Sequence, residues 1–134
     1  EMGKIPAIAE FILGAPHTIK CEETVSVAEK IMSLHKIRHL PVLDGKRIFG
    51  IISDRDIKLA RSVNRDRSGG RPIYVKDICI NNPYVVEERE PLDVVAATMA
   101  RRRLGCAIVT KKGSISGIFT TTDACRLLAE FARR

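Results

Sequence analysis

The sequence predicts an α+β fold made of two β-α-β-β-α repeats that pack together with pseudo-two-fold symmetry. The first observation is that GIISDRD at residues 50–56 returns as GIFTTTD at residues 117–123, 67 positions later. The second is that this offset, carried along the chain without gaps, keeps apolar residues opposite apolar residues. The third is that turn signals recur at matching places in both halves, which is typical of an internal repeat.

Identical residues hold the register along the chain. The identical pairs include Pro16 and Pro83, Glu23 and Glu90, Val27 and Val94, Met32 and Met99, Val42 and Val109, Ile48 and Ile115, Gly50 and Gly117, and Asp56 and Asp123. We therefore predict a first repeat with an N-terminal lead-in over residues 1–67 and a second repeat over residues 68–134. A unit of about 55 residues buries too little surface to be stable alone, so we expect the two to pack against each other.

Each repeat opens with a short apolar lead-in, at residues 8–13 and 75–80, and a brief strand, at residues 17–20 and 84–87. An amphipathic helix follows. In the first repeat Ser26 is the predicted N-cap, and Glu29 three residues later completes a capping box. In the second repeat Asp93 takes the cap position.

Two strands and a second helix complete each repeat. The strands lie at residues 39–44 and 47–53, joined by the turn Asp44-Gly45, and at 106–110 and 114–119, joined through Lys112-Gly113. The closing helices are predicted at residues 56–63 and 123–132. Between the repeats, RSVNRDRSGGRP at residues 61–72 combines glycine, proline and four arginines, which predicts a linker or an exposed loop.

The composition is that of an ordinary soluble protein. Of 134 residues, 45% are apolar and 29% are charged. The sequence contains no apolar run near the ~20 residues that span a bilayer, and no secretory signal pattern opens it. We therefore expect a cytoplasmic location and no membrane contact.

Cysteine and histidine spacing predicts free thiols, no metal and no cofactor. The four cysteines form no CxxC pair, and the three histidines complete no plausible zinc spacing. These residues are Cys21, Cys79, Cys106, Cys125, His17, His35 and His39.

A tandem β-α-β-β-α pair that carries G-h-x-[ST]-x-x-D at its last strand-to-helix turn resembles the CBS domain pair, or Bateman module. The resemblance covers about residues 8–60 and 75–130 and includes Pro41-Val42 at a strand start and the Asp44-Gly45 turn. It implies a regulatory or energy-sensing module that binds AMP, ADP, ATP or S-adenosylmethionine in clefts between the repeats. It also implies an effector partner and a homodimer, because such pairs commonly dimerise through their helices.

By the resemblance, Ser53 and Asp56 serve one cleft, and Thr120 and Asp123 serve the other. A carboxylate in the first turn of a helix can accept two hydrogen bonds from a ribose diol, and a hydroxyl beside free N–H groups suits phosphate. The glycine three residues before each hydroxyl would let a ligand approach the strand. Adenine would lie between strand residues, namely Thr18, Ile19, Ile51, Val85, Val86 and Ile118.

A second interpretation of the two motifs needs no ligand. Both Ser53-x-x-Asp56 and Thr120-x-x-Asp123 fit a capping box, in which side chains satisfy the free N–H groups of the helix start. The double occurrence inside this architecture favours a binding role in at least one cleft. Capping and binding are also compatible.

Basic residues distinguish the repeats. Those near the first motif are Arg38, His39 and Arg55, and the matching positions of the second repeat hold Gly105, Cys106 and Thr122. In the family each cleft lies at the junction of both units, so the Asp123 cleft could borrow His39 and Arg55 for a phosphate. We therefore favour that cleft for a phosphate-bearing ligand. A half-buried structural histidine and solvated arginines are the alternatives.

The net charge of +7 suits anionic partners in general. The alternative function is a nucleic-acid binder that uses the linker arginines, residues 101–103, Lys111-Lys112 and Arg133-Arg134. An aromatic content of 4% and the lack of a recognised nucleic-acid motif weigh against it. Catalysis is not expected, because the sequence has no Walker loop, no nucleophile–base arrangement and no paired carboxylates outside the two motifs.

Overall fold

The structure, a computed structural model, describes residues 4–12, 14–64 and 70–134. The chain divides into two units. Residues His17–Pro83 form one, called here the central unit, and Glu1–Pro16 together with Tyr84–Arg134 form the other, called the terminal unit. Each unit combines helices with a three-stranded sheet, which confirms the predicted α+β class and the repeat.

The sheet of the central unit has the strand order β1-β2-β3, with β1 parallel to β2 and β2 antiparallel to β3. Buried residues of α1, the strands and α2 form its core beneath one face of the sheet. The elements are β1 (Ile19–Lys20), α1 (Val25–His35), β2 (His39–Asp44), β3 (Arg47–Ser53), α2 (Asp54–Asn64) and α3 (Val75–Ile78).

The terminal unit repeats this arrangement in the order β4-β5-β6, again with one parallel and one antiparallel pairing. Its core includes Ile8 from the N-terminal segment and Phe119 from β6, both fully buried. The elements are a 3-10 helix (Ile8–Phe11), β4 (Val85–Glu87), α4 (Leu92–Arg102), β5 (Cys106–Lys111), β6 (Ser114–Thr120) and α5 (Thr121–Ala132).

The 67-residue offset holds for structural details as well as for element order. Helices α1 and α4 both end at a residue in the left-handed region, Lys36 at φ 55° and Arg103 at φ 56°. The strand pairing shifts register at matching points, after Val42 and after Val109. The alignment read from the sequence is therefore the structural alignment.

The lead-ins make the two units differ from the two sequence repeats. Residues 75–80 open the second predicted repeat but belong to the central unit, where the Ile80 and Ile51 backbones exchange hydrogen bonds of 2.8 and 2.9 Å. Residues 4–12 lie at the start of the first predicted repeat but belong to the terminal unit, where the Ile8 N–H donates to Glu90 O at 2.8 Å. These units therefore do not coincide with the predicted repeats, and the boundary after residue 67 stays a prediction.

The segment that precedes the second lead-in also replaces the predicted capping box of α1, which is wrong. Helix α1 begins at Val25, so Ser26 lies inside it. The Val25 N–H donates to the carbonyl of Ile73 at 2.9 Å, so a distant backbone group satisfies it. The Ser26 hydroxyl and the Glu29 carboxylate instead accept hydrogen bonds from the Arg61 guanidinium of α2.

Helix α4 begins in the corresponding way. The N–H of Leu92, its first residue, donates to Pro6 O at 2.9 Å, and Asp93 falls in the first turn and not at the N-cap. The N-cap is Pro91, so the predicted cap at Asp93 is two positions too late. A negative charge in the first turn still interacts favourably with the helix dipole.

The predicted linker at residues 61–72 is partly helical, since α2 continues to Asn64. Its residues 65–69 lie outside the described residues. Gly70 has φ 83°, a conformation that favours glycine. Within the described residues, no helix has both the length and the apolar character to span a bilayer.

Candidate functional site

The first motif forms a tight turn between β3 and α2. The N–H of Ser53 donates to Asp56 Oδ2 at 2.8 Å, and the N–H of Asp56 donates to Ser53 Oγ at 3.1 Å. This reciprocal pair satisfies two N–H groups that the helix leaves free. Ser53 and Asp56 are both half-buried at this turn.

The second motif forms the same turn between β6 and α5. The N–H of Thr120 donates to Asp123 Oδ2 at 2.8 Å, and the N–H of Asp123 donates to Thr120 Oγ1 at 3.2 Å. The Thr120 hydroxyl also contacts Asp123 Oδ2 at 3.0 Å, and Arg126 Nη1 lies 3.2 Å from Asp123 Oδ1. The capping interpretation of both motifs is therefore confirmed.

The glycines of the motifs have a structural role. A β-carbon on Gly50 would overlap the carbonyl oxygen of Ile80, and one on Gly117 would overlap Cγ2 of Ile12. Both glycines are buried. The prediction that a ligand approaches the strands at these positions is wrong, because the lead-in of each unit already fills that space.

Two of the predicted adenine-lining residues lie in the hydrophobic cores. Ile19 is 4% exposed and Val86 is 7% exposed, each inside the core of its own unit. Successive side chains of a strand point to opposite faces, so Val85, the neighbour of Val86 in β4, belongs to the other face of the sheet, whereas Thr18 precedes β1. Thr18 is half-buried, and Val85 is 41% exposed.

The remaining predicted lining residues share that non-core face. Val85, Ile108 and Ile118 form one cross-strand row of the terminal sheet. In the central sheet, Ile51 stands opposite Pro41. Ile51 and Ile118 are half-buried. Pro41 and Ile108 are the cross-strand neighbours of these residues, but both are fully buried, so neither offers a ligand an exposed side chain.

The structure brings His39 to the first turn. His39 pairs with Ser53 across β2 and β3, and the N–H of Asp54 donates to the carbonyl of Arg38 at 3.0 Å. Burial lowers the pKa of His39, while the negative charges of Asp54 and Asp56 oppose this shift. The side chains of Arg38 and Arg55 are exposed.

The second turn has different neighbours. Cys106 pairs with Thr120, and burial raises the pKa of the Cys106 thiol to about 12, so this thiol is neutral at ordinary pH. The basic residue at this turn is Arg126, whose ion pair with Asp123 sequence reasoning missed. The sequence pattern that could have predicted this ion pair is an aspartate and an arginine three positions apart on a predicted helix.

Cys21, Glu22 and Asp44 form a cluster of potential metal ligands. The ligand atoms of Cys21, Glu22 and Asp44 lie within 4.8 Å of one another. The Cys21 thiol donates to Glu22 at 2.7 Å, which raises the pKa of Cys21 to about 11, and Asp44 pairs with Arg47 at 3.1 Å. A metal would have to deprotonate this thiol and displace Arg47, so the three residues do not fit a metal as they stand.

The arginines at residues 101–103 occupy the C-terminal end of α4 and are exposed. The guanidinium of Arg102 lies 5.4 Å from the centre of the Tyr84 ring. This agrees with a solvated helix end, where positive charge is favourable.

Two three-stranded units, each closed by a helix whose first turn carries a Ser/Thr–Asp pair, define the class of the CBS domain pair. The family model described as "CBS domain" matches residues 8–62 and 75–130. The chain therefore belongs to the CBS domain family.

The relatives with curated functions are longer proteins. The chain is 29% identical over 125 residues to L-aspartate semialdehyde sulfurtransferase of Methanocaldococcus jannaschii, covering 92% of this chain and 23% of that protein. It is also 29% identical over 125 residues to inosine-5'-monophosphate dehydrogenase of Korarchaeum cryptofilum, covering 92% of this chain and 25% of that protein. The chain thus spans about a quarter of the length of these relatives.

Among solved structures, the chain is similar to the CBS domain pair of protein MJ0100 in complex with 5'-methylthioadenosine and S-adenosyl-L-methionine. The TM-score is 0.83 at 26% identity, and the match covers 95% of this chain and 98% of that one. A CBS domain pair of this fold therefore binds adenosine-containing molecules.

Proposed function

We propose that the chain is a regulatory module that binds an adenosine-containing ligand and signals its occupancy to a partner polypeptide. The observation that carries this proposal is that both units present the same Ser/Thr–Asp turn at the end of a strand. A single turn of this kind is explained by capping alone. Its repetition in a chain similar to a pair that binds 5'-methylthioadenosine and S-adenosyl-L-methionine favours binding.

The proposed contacts follow from the chemistry of the turns. The carboxylates of Asp56 and Asp123 accept hydrogen bonds from the ribose diol, since each is half-buried and fixed by its turn. Adenine contacts the non-core face of the sheets, where Ile51, Val85 and Ile118 lie, and Thr18 just before β1. Ile19 and Val86 are left out of the site, because the cores enclose their side chains.

Phosphate binding belongs to the same proposal. His39 stands beside the first turn, and Arg38 and Arg55 are exposed nearby in the chain. AMP, ADP and ATP are therefore candidate ligands together with S-adenosylmethionine. That a phosphate bound at the Asp123 site contacts His39 and Arg55 stays a prediction.

The test is a calorimetric titration with S-adenosylmethionine, 5'-methylthioadenosine, AMP, ADP and ATP, with guanosine as the base control. Asp56→Asn combined with Asp123→Asn should weaken binding tenfold or more, because charge-assisted hydrogen bonds are lost. Asp54→Asn is the matched control for the ligands without a phosphate, since the Asp54 carboxylate pairs with Lys58 at 3.8 Å and, among the described residues, accepts no hydrogen bond within the turn. Equal binding by the double variant would contradict the site.

The same titration includes a mixed oligonucleotide at two salt concentrations. A nucleic-acid binder should show affinity that falls steeply with salt and no response to adenosine compounds. That outcome would replace the proposed function with the alternative suggested by the net charge.

We further propose that the chain forms a homodimer. The last helix of each repeat leaves apolar side chains exposed: Leu59 and Val63 on α2 are 58% and 69% exposed, and Leu128 and Phe131 on α5 are 69% and 53% exposed. A two-fold dimer uses one patch on both copies, which would cover these residues without further components. Leu128→Glu with Phe131→Glu should shift the mass measured by light scattering from dimer to monomer.

A further inference from the structure

We propose that the two turns are unequal adenosine sites, and that Arg126 is the residue that weakens ribose binding at Asp123. The Asp56 turn is then the tighter site. This inference rests on the proposed function and adds which turn binds better and why.

The carboxylates differ in their free hydrogen-bonding capacity. Asp56 Oδ2 accepts one hydrogen bond, from the N–H of Ser53, and Oδ1 accepts none from the residues the structure describes. Asp123 Oδ2 accepts two, from the N–H and the hydroxyl of Thr120, and its Oδ1 is paired with Arg126. A carboxylate has about four acceptor positions, so a diol that donates two hydrogen bonds to Asp123 must displace an existing partner, whereas one that binds Asp56 need not.

The hydroxyl groups of the two turns also differ in their free hydrogen-bonding capacity, and the first turn again has more. The Ser53 hydroxyl accepts from the N–H of Asp56 and donates no hydrogen bond to the described residues. The Thr120 hydroxyl donates to Asp123 at 3.0 Å while it accepts from the N–H of that residue. The first turn thus offers a ligand both a free acceptor and a free donor.

The 67-residue offset identifies the cause of the difference. Position 126 corresponds to position 59, where the first repeat has Leu59. The Arg126 side chain is 59% exposed and that of Asp123 is 29% exposed, so the ion pair is partly screened by water. Exposed ion pairs contribute little free energy, so we expect the affinity for adenosine to change roughly two- to fivefold.

The experiment exchanges the two residues. Arg126→Leu should tighten the weaker site for adenosine roughly two- to fivefold, and Leu59→Arg should weaken the tighter site by a similar factor. Both side chains are largely exposed, so the variants should fold, which circular dichroism checks. Because Leu59 also lies on the proposed dimer surface, light scattering checks that the mass of Leu59→Arg equals that of the parent. Adenosine is the probe because it carries the diol without a phosphate, which keeps Arg38, His39 and Arg55 out of the comparison.

Lys58→Leu is the matched control, because Lys58 pairs with Asp54 and not with the turn carboxylate; its dissociation constants should equal those of the parent. Asp56→Asn and Asp123→Asn, each in the parent chain, assign the tight and weak phases. Equal affinities in the parent, no change in Arg126→Leu, or weaker binding in Arg126→Leu would each overturn the inference while leaving the proposed function intact. Absence of adenosine-ligand binding in the parent would overturn both.

Discussion

The carbonyl oxygen of Ile80 occupies the position that a β-carbon on Gly50 would need. The two backbone segments are held there by reciprocal hydrogen bonds between Ile80 and Ile51, of 2.8 and 2.9 Å. The glycine of the first motif therefore permits one backbone to lie against another. Because Gly50 has no side chain, the lead-in at residues 75–80 can pack directly against β3.

The first prediction concerns Gly50→Ala. Its methyl group meets backbone that cannot move without breaking the Ile51–Ile80 pair, so we expect a loss of about 2–3 kcal/mol in the free energy of unfolding, at the upper end for overpacking. Urea denaturation measures it. A variant as stable as the parent would contradict the close packing of the lead-in at this glycine.

The second prediction concerns the corresponding Gly117→Ala. Here the methyl group meets the side chain of Ile12, mainly its Cγ2 atom, so shortening Ile12 makes room. We expect a cost of about 1–3 kcal/mol for Gly117→Ala alone, and a smaller added cost in the presence of Ile12→Ala. A double-mutant cycle by urea denaturation measures this coupling. Strict additivity would show that the two residues are not in contact.

The third prediction separates the capping role of Asp56 from its binding role. Asp56→Ala removes the acceptor of the Ser53 N–H and should cost about 1 kcal/mol of stability without ligand. Asp56→Asn keeps an acceptor oxygen and should cost less. Urea denaturation of the two variants distinguishes them, and a titration of the same samples should show weakened ligand binding in both. Equal stability of Asp56→Ala and the parent would mean that the capping box contributes nothing.

The fourth prediction is a pH dependence caused by His39. Because burial lowers the pKa of His39 in the folded protein, the unfolded chain binds the proton more readily. Stability should therefore fall as the pH drops below the ordinary histidine pKa of about 6.5. His39→Gln should flatten this fall between about pH 7.5 and 5, measured by urea denaturation at several pH values. The other titrating groups are common to both proteins, so a parallel pH profile in the variant would contradict the role of His39.

The fifth prediction concerns thiol reactivity. The pKa values of Cys21, Cys79 and Cys106 are raised, to about 11 for Cys21 and about 12 for Cys106, whereas Cys125 is exposed on α5. Since the thiolate is the reactive form, one thiol of the folded protein should react quickly with a disulfide reagent at pH 8. Cys125→Ser should remove this fast phase, and urea should release the other three. A fast phase that survives Cys125→Ser would contradict this assignment.

The sequence by itself determined the repeat, its 67-residue offset, the order of the strands and helices and the two Ser/Thr–Asp turns. These features are local: they depend on alternating or helical apolar patterns, on turn residues and on a hydroxyl three positions before a carboxylate. Each is visible in a short stretch, and the second copy of each stretch confirms the first. The structure agrees with these predictions within a few residues at the element ends.

The tertiary structure decided what the sequence could not. The lead-ins pack in the unit of the other repeat, the N–H groups of Val25 and Leu92 bind carbonyls of Ile73 and Pro6, and Gly50 makes room for a backbone. Contacts of this kind join main-chain groups that are distant in the chain, and every residue carries nearly the same main-chain groups. No residue type marks such a pair in advance, so only the folded chain reveals which carbonyl a given N–H will meet.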